Sequence, residues 1–185
     1  MIGSMFGWLC KIVYTHILGW KVSGPHPNDV KQKVIIAAPH TSGWDLPLGL
    51  LLKYQIDLDV RFVGKKSLFK WPFDKFFRMW GLLPIDRTKG ISVVDEIIQL
   101  FKDGKINSIG LAPEGTRVKV KKFKSGFYRI AKALDIPVVM AKFDYEAKEI
   151  SFSPPYFLKK TKEEDMSYIE SYFRGTKGKI PDFSF

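Results

Sequence analysis

The apolar positions change period several times along the chain, and each change marks an element. Ile2, Met5, Phe6, Leu9, Ile12, Val13 and Ile17 recur at helical spacing, which predicts a helix with one strongly apolar face. Residues 34–38 form a short unbroken apolar run, the pattern of a strand buried on both faces. Residues 46–54 read as a helix, with Pro47 tolerable in the first turn. A strand over 60–63 and a short aromatic helix over 73–80 follow. The clearest helix is 91–102, because Ile91, Val94, Ile97, Ile98 and Phe101 share one face and Gly104 follows as a stop. Residues 108–112 return to strand, and 124–134 carry Phe127, Ile130, Ala131 and Leu134 at helical spacing. A strand over 137–143, a partner at 149–152 and a closing helix over 166–173 complete the pattern.

Strands alternating with helices predict an α/β fold: a single domain whose largely parallel sheet is flanked by helices and preceded by an apolar N-terminal helix. The expected division is an N-terminal helix over 1–22, a domain proper over 30–174, and a loose C-terminal tail over 175–185. Ser23-Gly24-Pro25-His26-Pro27-Asn28 reads as the linker between the first two.

The first segment lacks a basic start and an A-x-A pattern, so it is not read as a signal peptide. Lys11 and His16 interrupt it as a membrane span. Two roles stay open for it: a helix packed on the domain, or one lying in the lipid interface.

Length and charge narrow the class. The 185 residues, 45% of them hydrophobic, suffice for one domain with a real core. The formal charge is +11, from 30 basic and 19 acidic residues, which implies a face that attracts polyanions. Lys119, Lys121, Lys122 and Lys124, with Lys65, Lys66 and Lys70, suit an anionic membrane, the phosphates of coenzyme A, or merely solvent. The lone Cys10 excludes an internal disulfide and a cysteine metal cluster, and His16 and His26 lack carboxylate partners at ligand spacing. No metal site is expected.

Three segments could carry chemistry. Pro39-His40-Thr41-Ser42-Gly43-Trp44-Asp45 follows the 34–38 strand directly, where α/β sheets collect their sites. A five-residue offset lets Asp45 fold back onto the His40 imidazole and make it a base. Equally, His40 could satisfy a backbone carbonyl while Asp45 caps the helix. In Ala112-Pro113-Glu114-Gly115-Thr116-Arg117, Gly115 permits a strained turn, Thr116 offers a donor, and the Arg117 fork matches a phosphate. Gly81-Leu82-Leu83-Pro84-Ile85-Asp86-Arg87 ends in a possible second anion anchor, or in a surface arginine paired with Asp86.

Taken in order, His40 with Asp45, the segment ending at Arg87, Pro113-Glu114-Gly115-Thr116-Arg117, the Phe123-Lys124-x-Gly126 stretch and Ile136-Pro137-Val138 resemble the glycerolipid acyltransferases that act on glycerol phosphate or lysophosphatidic acid. The resemblance covers roughly residues 34–142. It implies that His40 is the general base and Asp45 its orienting partner, and it decides between the two readings above. By the same resemblance Arg87, Glu114, Gly115, Thr116, Arg117, Lys124 and Gly126 bind substrate.

The expected donor is acyl-CoA or acyl carrier protein, used as co-substrate with no other cofactor, and the expected acceptor is a phosphorylated lipid such as 1-acylglycerol-3-phosphate. A different lysolipid, an amino-acid-linked lipid or a non-catalytic lipid-binding role are the alternatives. Peripheral contact with the anionic cytoplasmic face of a membrane is expected. Ala112, in place of the usual Phe, and Met140, in place of a second proline, depart from the family pattern and bear on substrate identity.

Other classes fit less well. Gly64-Lys65-Lys66-Ser67 lacks the glycine of a P-loop at Asp59 and the Ser/Thr at Lys66. There is no G-x-S-x-G for a serine hydrolase, and neither zinc-finger spacing nor an R-G-F-type stretch for a nucleic-acid module.

Overall fold

The computed structural model describes residues 2–66, 69–85 and 92–185. Seven strands form one sheet: β1 (Lys21–Ser23), β2 (Lys33–Ala38), β3 (Arg61–Lys65), β4 (Leu82–Ile85), β5 (Ser108–Leu111), β6 (Val138–Asp144) and β7 (Glu149–Phe152). Their order is β1-β7-β6-β2-β5-β3-β4. Every pairing is parallel except β6 with β7. The helices are α1 (Ile2–Lys11), α2 (Asp45–Gln55), α3 (Asp74–Met79), α4 (Val93–Lys102), α5 (Gly126–Leu134) and α6 (Lys162–Phe173).

The apolar run of β2 makes it a central strand, bonded to β5 on one edge and β6 on the other. Alternation along it then assigns each side chain to a layer. Val34, Ile36 and Ala38 join Val138 and Met140 of β6 in a core closed by Ile97 and Phe101 of α4, Phe127 and Ile130 of α5, and Ile169 and Phe173 of α6. Ile35, with Val139, Ala141 and Phe143, faces the other way onto Leu48 and Leu52 of α2, Tyr14 and Trp20. Helices thus cover both faces of the sheet, as the sequence predicted.

Local chemistry sets the ends of two helices. The Ser92 side chain accepts from the Val94 N–H at the start of α4, and Gly104 beyond its end has φ +66°. At α6, Thr161 and Glu164 form a reciprocal capping box. This cap starts the helix four residues before the predicted 166, in a polar first turn that apolar spacing does not mark.

Two segments depart from the expectations. The apolar N-terminal helix continues through a π-helical stretch, Ile12–Ile17, into β1, which pairs in parallel with β7. The first part of the chain is therefore stitched into the sheet instead of joined by a linker alone. The tail expected to be loose is packed: the Ile180 N–H donates to Thr41 Oγ1 at 3.1 Å, and the Phe185 ring stacks 4.2 Å from Phe123. Gly178 leans on Thr41 so closely that a Cβ would lie 2.5 Å from its hydroxyl. These contacts come from distant segments, so no local pattern announces them.

Among the described residues, no helix is long and apolar enough to cross a membrane.

Candidate active site

The site collects where the sequence placed it, at the carboxyl ends of the central parallel strands. β2 ends in the turn that carries His40, and Asp45 is the first residue of α2. The turn between them brings His40 Nδ1 within 2.8 Å of Asp45 Oδ2. An ionised carboxylate only accepts, so Nδ1 carries the proton and Nε2 presents its lone pair. The His40 side chain is 24% exposed, whereas that of Asp45 is 7% exposed. A buried carboxylate must be matched by donors. Asp45 has three: the His40 imidazole, the Ser42 N–H at 3.0 Å and the Tyr145 hydroxyl at 2.6 Å. Its place in the first turn of α2 also sets its charge against the positive end of the helix.

β5 leads into the loop that carries Glu114 and Arg117. Glu114 is buried and turned inward, and its Oε1 accepts the backbone N–H of His40 at 2.9 Å. Its Oε2 has no hydrogen-bond partner among the described residues. Burial pushes the Glu114 carboxyl above its ordinary value of 4.5, against the lowering effect of the His40 N–H. Glu114, expected as a substrate contact, thus has its carboxylate bonded to the backbone of the histidine turn.

Arg117 is exposed, and its Nε lies 3.4 Å from His40 Nε2. Gly115 adopts φ +64°, a conformation that favours glycine, and a Cβ there would meet Lys124 Nζ at 2.8 Å. The Lys124 side chain accordingly lies over the loop.

A cavity of about 440 Å³ opens beside the imidazole. His40, Asp45 and Arg117 stand among its lining, and Gly49, Phe62, Val63, Gly110 and Phe143 give it apolar walls between α2 and the sheet. Of the expected site residues, His40, Asp45 and Arg117 meet at this cavity. Gly115, Thr116 and Lys124 belong to the adjoining loop, and Gly126 starts α5, packed near Val94. None of these four, nor Glu114, lines the cavity. Arg87 lies outside the described residues.

Other apolar side chains of α2 and of the segment around α3 divide between core and surface. Leu48, Leu50 and Leu52 are core, while Trp71, Phe73 and Phe76 are exposed. The cavity's apolar walls come largely from elsewhere. Tyr145 was missed altogether, because a lone tyrosine in a turn one hundred residues from its partner carries no sequence signal.

The chain belongs to the acyltransferase family, whose sequence description it matches over residues 19–141. In its fold it is similar to the 1-acyl-sn-glycerophosphate (LPA) acyltransferase PlsC from Thermotoga maritima. The TM-score is 0.63 at 18% identity, covering 92% of this chain and 76% of that one. A search of curated protein sequences gave no match.

Proposed function

We propose that the protein transfers a fatty acyl group from a thioester donor, acyl-CoA or acyl carrier protein, to a hydroxyl of a phosphorylated lipid such as 1-acylglycerol-3-phosphate. One observation carries the reading: the imidazole of His40 is held through Nδ1 by a buried carboxylate, while Nε2 lies beside Arg117 and both residues line the cavity. That is the geometry of a general base beside an anion anchor.

In the proposed reaction, the acceptor hydroxyl gives its proton to His40 Nε2 as its oxygen attacks the thioester carbonyl. Asp45 stabilises the imidazolium that forms. The tetrahedral intermediate collapses with loss of the carbon–sulfur bond, and the imidazolium returns the proton to the leaving thiolate. The thioester is already activated, so no acyl-enzyme is required. Arg117 holds the acceptor's phosphate and so orients its hydroxyl, with Arg87 as a second anchor by resemblance. The acyl chain occupies the apolar slot past Gly49, Phe62, Gly110 and Phe143. Ala112 also lines the cavity, and its small side chain leaves the mouth wider than the phenylalanine usual at that position.

Attachment to a membrane is peripheral in this reading and uses one continuous apolar face. Met5, Phe6, Trp8 and Leu9 of α1 are exposed, as are Trp71, Phe73, Phe76 and Met79 around α3. Tyr54 joins the two groups: its ring packs edge-on to Phe6 at 4.9 Å and its hydroxyl donates to the Met79 carbonyl. Exposed Lys70 and Lys75 flank the face and suit the anionic headgroups of the cytoplasmic leaflet.

The test is acyl transfer by the purified chain across a panel of donors and acceptors, with His40→Ala as control. Transfer to 1-acylglycerol-3-phosphate that disappears in the control supports the reading. Transfer to an acceptor without phosphate reassigns the substrate, and lipid binding without turnover in the wild type overturns catalysis.

A further inference from the structure

We infer that Tyr145 is a positioning residue for the catalytic pair, fixing the Asp45 carboxylate and sharing its charge from the side opposite His40. The inference rests on the reading of His40 as the base. Tyr145 lies in the turn between β6 and β7, beyond the 19–141 span that matches the family. It adds to the pair a third member that the family motifs do not contain.

The two carboxylate oxygens of Asp45 have divided duties. Oδ2 accepts from His40 Nδ1 and from the Ser42 N–H, while Oδ1 accepts from the Tyr145 hydroxyl at 2.6 Å. Without the phenol, Oδ1 would be a buried acceptor with no donor, and the carboxylate could rotate about its Cβ–Cγ bond to find one. Rotation would move Oδ2 off the imidazole. The phenol therefore locks the plane in which His40 must lie.

The phenol is itself fixed. Its backbone N–H donates to the Lys177 carbonyl at 2.8 Å, and its ring meets the buried Trp20 edge-on with centroids 4.8 Å apart. It is also suited to donating: burial raises its pKa, and the hydrogen bond to Asp45 raises it further, so it keeps its proton over the working range. Among the described residues, the charged and titratable groups facing the pair are Tyr145 from the β6–β7 turn, with Tyr14 acting on it, and Glu114 and Arg117 from the loop after β5.

The experiment compares the full chain as wild type, as Tyr145→Phe, and with 3-fluorotyrosine at position 145, a stronger donor of nearly unchanged size. One readout needs no substrate: the low-field proton resonance of His40 Nδ1–H, assigned by its loss in Asp45→Asn. Tyr145→Phe shifts this resonance downfield or broadens it by faster exchange, since Oδ2 then carries more charge and the carboxylate is free to turn. The fluorinated ring shifts it upfield.

In the transfer assay, kcat of Tyr145→Phe falls about tenfold with the KM of both substrates little changed, the scale for losing a partner that orients a catalytic group. The fluorinated chain keeps most of the wild-type kcat. A resonance that stays in place in both substituted chains overturns the inference, whatever happens to the melting temperature. Should Tyr145→Phe fail to fold, the fluorinated chain alone decides. A wild type that transfers no acyl group sinks the proposed function, but leaves the resonance to settle whether Tyr145 governs the pair.

Discussion

Arg117 Nε lies 3.4 Å from His40 Nε2, so the loop after β5 aims a guanidinium at the one imidazole nitrogen that Asp45 leaves free. The distance is long for a strong hydrogen bond, and an arriving phosphate offers the guanidinium a better partner.

Arg117→Lys keeps the charge and loses the planar fork. The acceptor KM should rise about tenfold, with kcat changed far less, because a point cation cannot hold two phosphate oxygens in a fixed plane. Steady-state kinetics with the acceptor varied at saturating donor checks this. An equal fall in kcat with KM unchanged would place Arg117 in the chemical step instead.

His40→Ala should lower kcat by about a hundredfold or more, the usual scale for a lost general base. Asp45→Asn should lose a comparable or larger factor, since an amide no longer stabilises the imidazolium and can hold the wrong tautomer. Combining the two should cost little more than the worse single change, because both act in one proton transfer. Initial rates for the three variants, with circular dichroism to confirm folding, test the coupling.

The slot should measure the acyl chain. Gly49 faces it from α2, with Phe143 and Phe62 3.8 and 3.9 Å from where a Cβ would sit. Gly49→Leu fills part of the cavity without crowding the backbone, so the preferred donor should shorten by several carbons. Competition between donors of graded length checks this, and an unchanged preference would place the chain elsewhere.

Glu114 allows a test by pH. Its folded-state pKa is raised by burial above the ordinary 4.5, so between that value and the raised one the folded chain holds a proton that the unfolded chain has lost. The stability this group contributes is complete at acid pH and is lost as pH rises through the folded value. Glu114→Gln keeps an acceptor for the His40 N–H and removes the titration. Its denaturant midpoint at pH 7 should equal or exceed the wild type's, with a flatter pH dependence. Glu114→Ala leaves that N–H without a partner, at a cost of about 1–3 kcal/mol.

Much of this site was legible in the sequence because its geometry is local. His40 and Asp45 meet across one turn, and a run such as residues 34–38 can be little other than a buried strand. Glu114 shares a motif with Arg117, and the resemblance assigns both to the substrate; only the fold reveals that one side chain is buried under the histidine turn and the other exposed. β1 escaped notice because three residues, Lys21-Val22-Ser23, are too few to show alternation and pair with a strand 128 positions away. The packed tail and Tyr145 share that difficulty, since each is held by partners far off in sequence. What decides them is three-dimensional closure, which a pattern along one dimension does not record.

β2 is bonded along both edges, and its side chains are almost wholly shielded from solvent. Its amides should therefore be among the last in the molecule to exchange with deuterium, while those around the exposed α3 trade first. The pedestal of the imidazole would outlast the fraying of α3. Loss of activity on gentle warming should accordingly trace to that exposed periphery, well before the reacting groups lose their alignment.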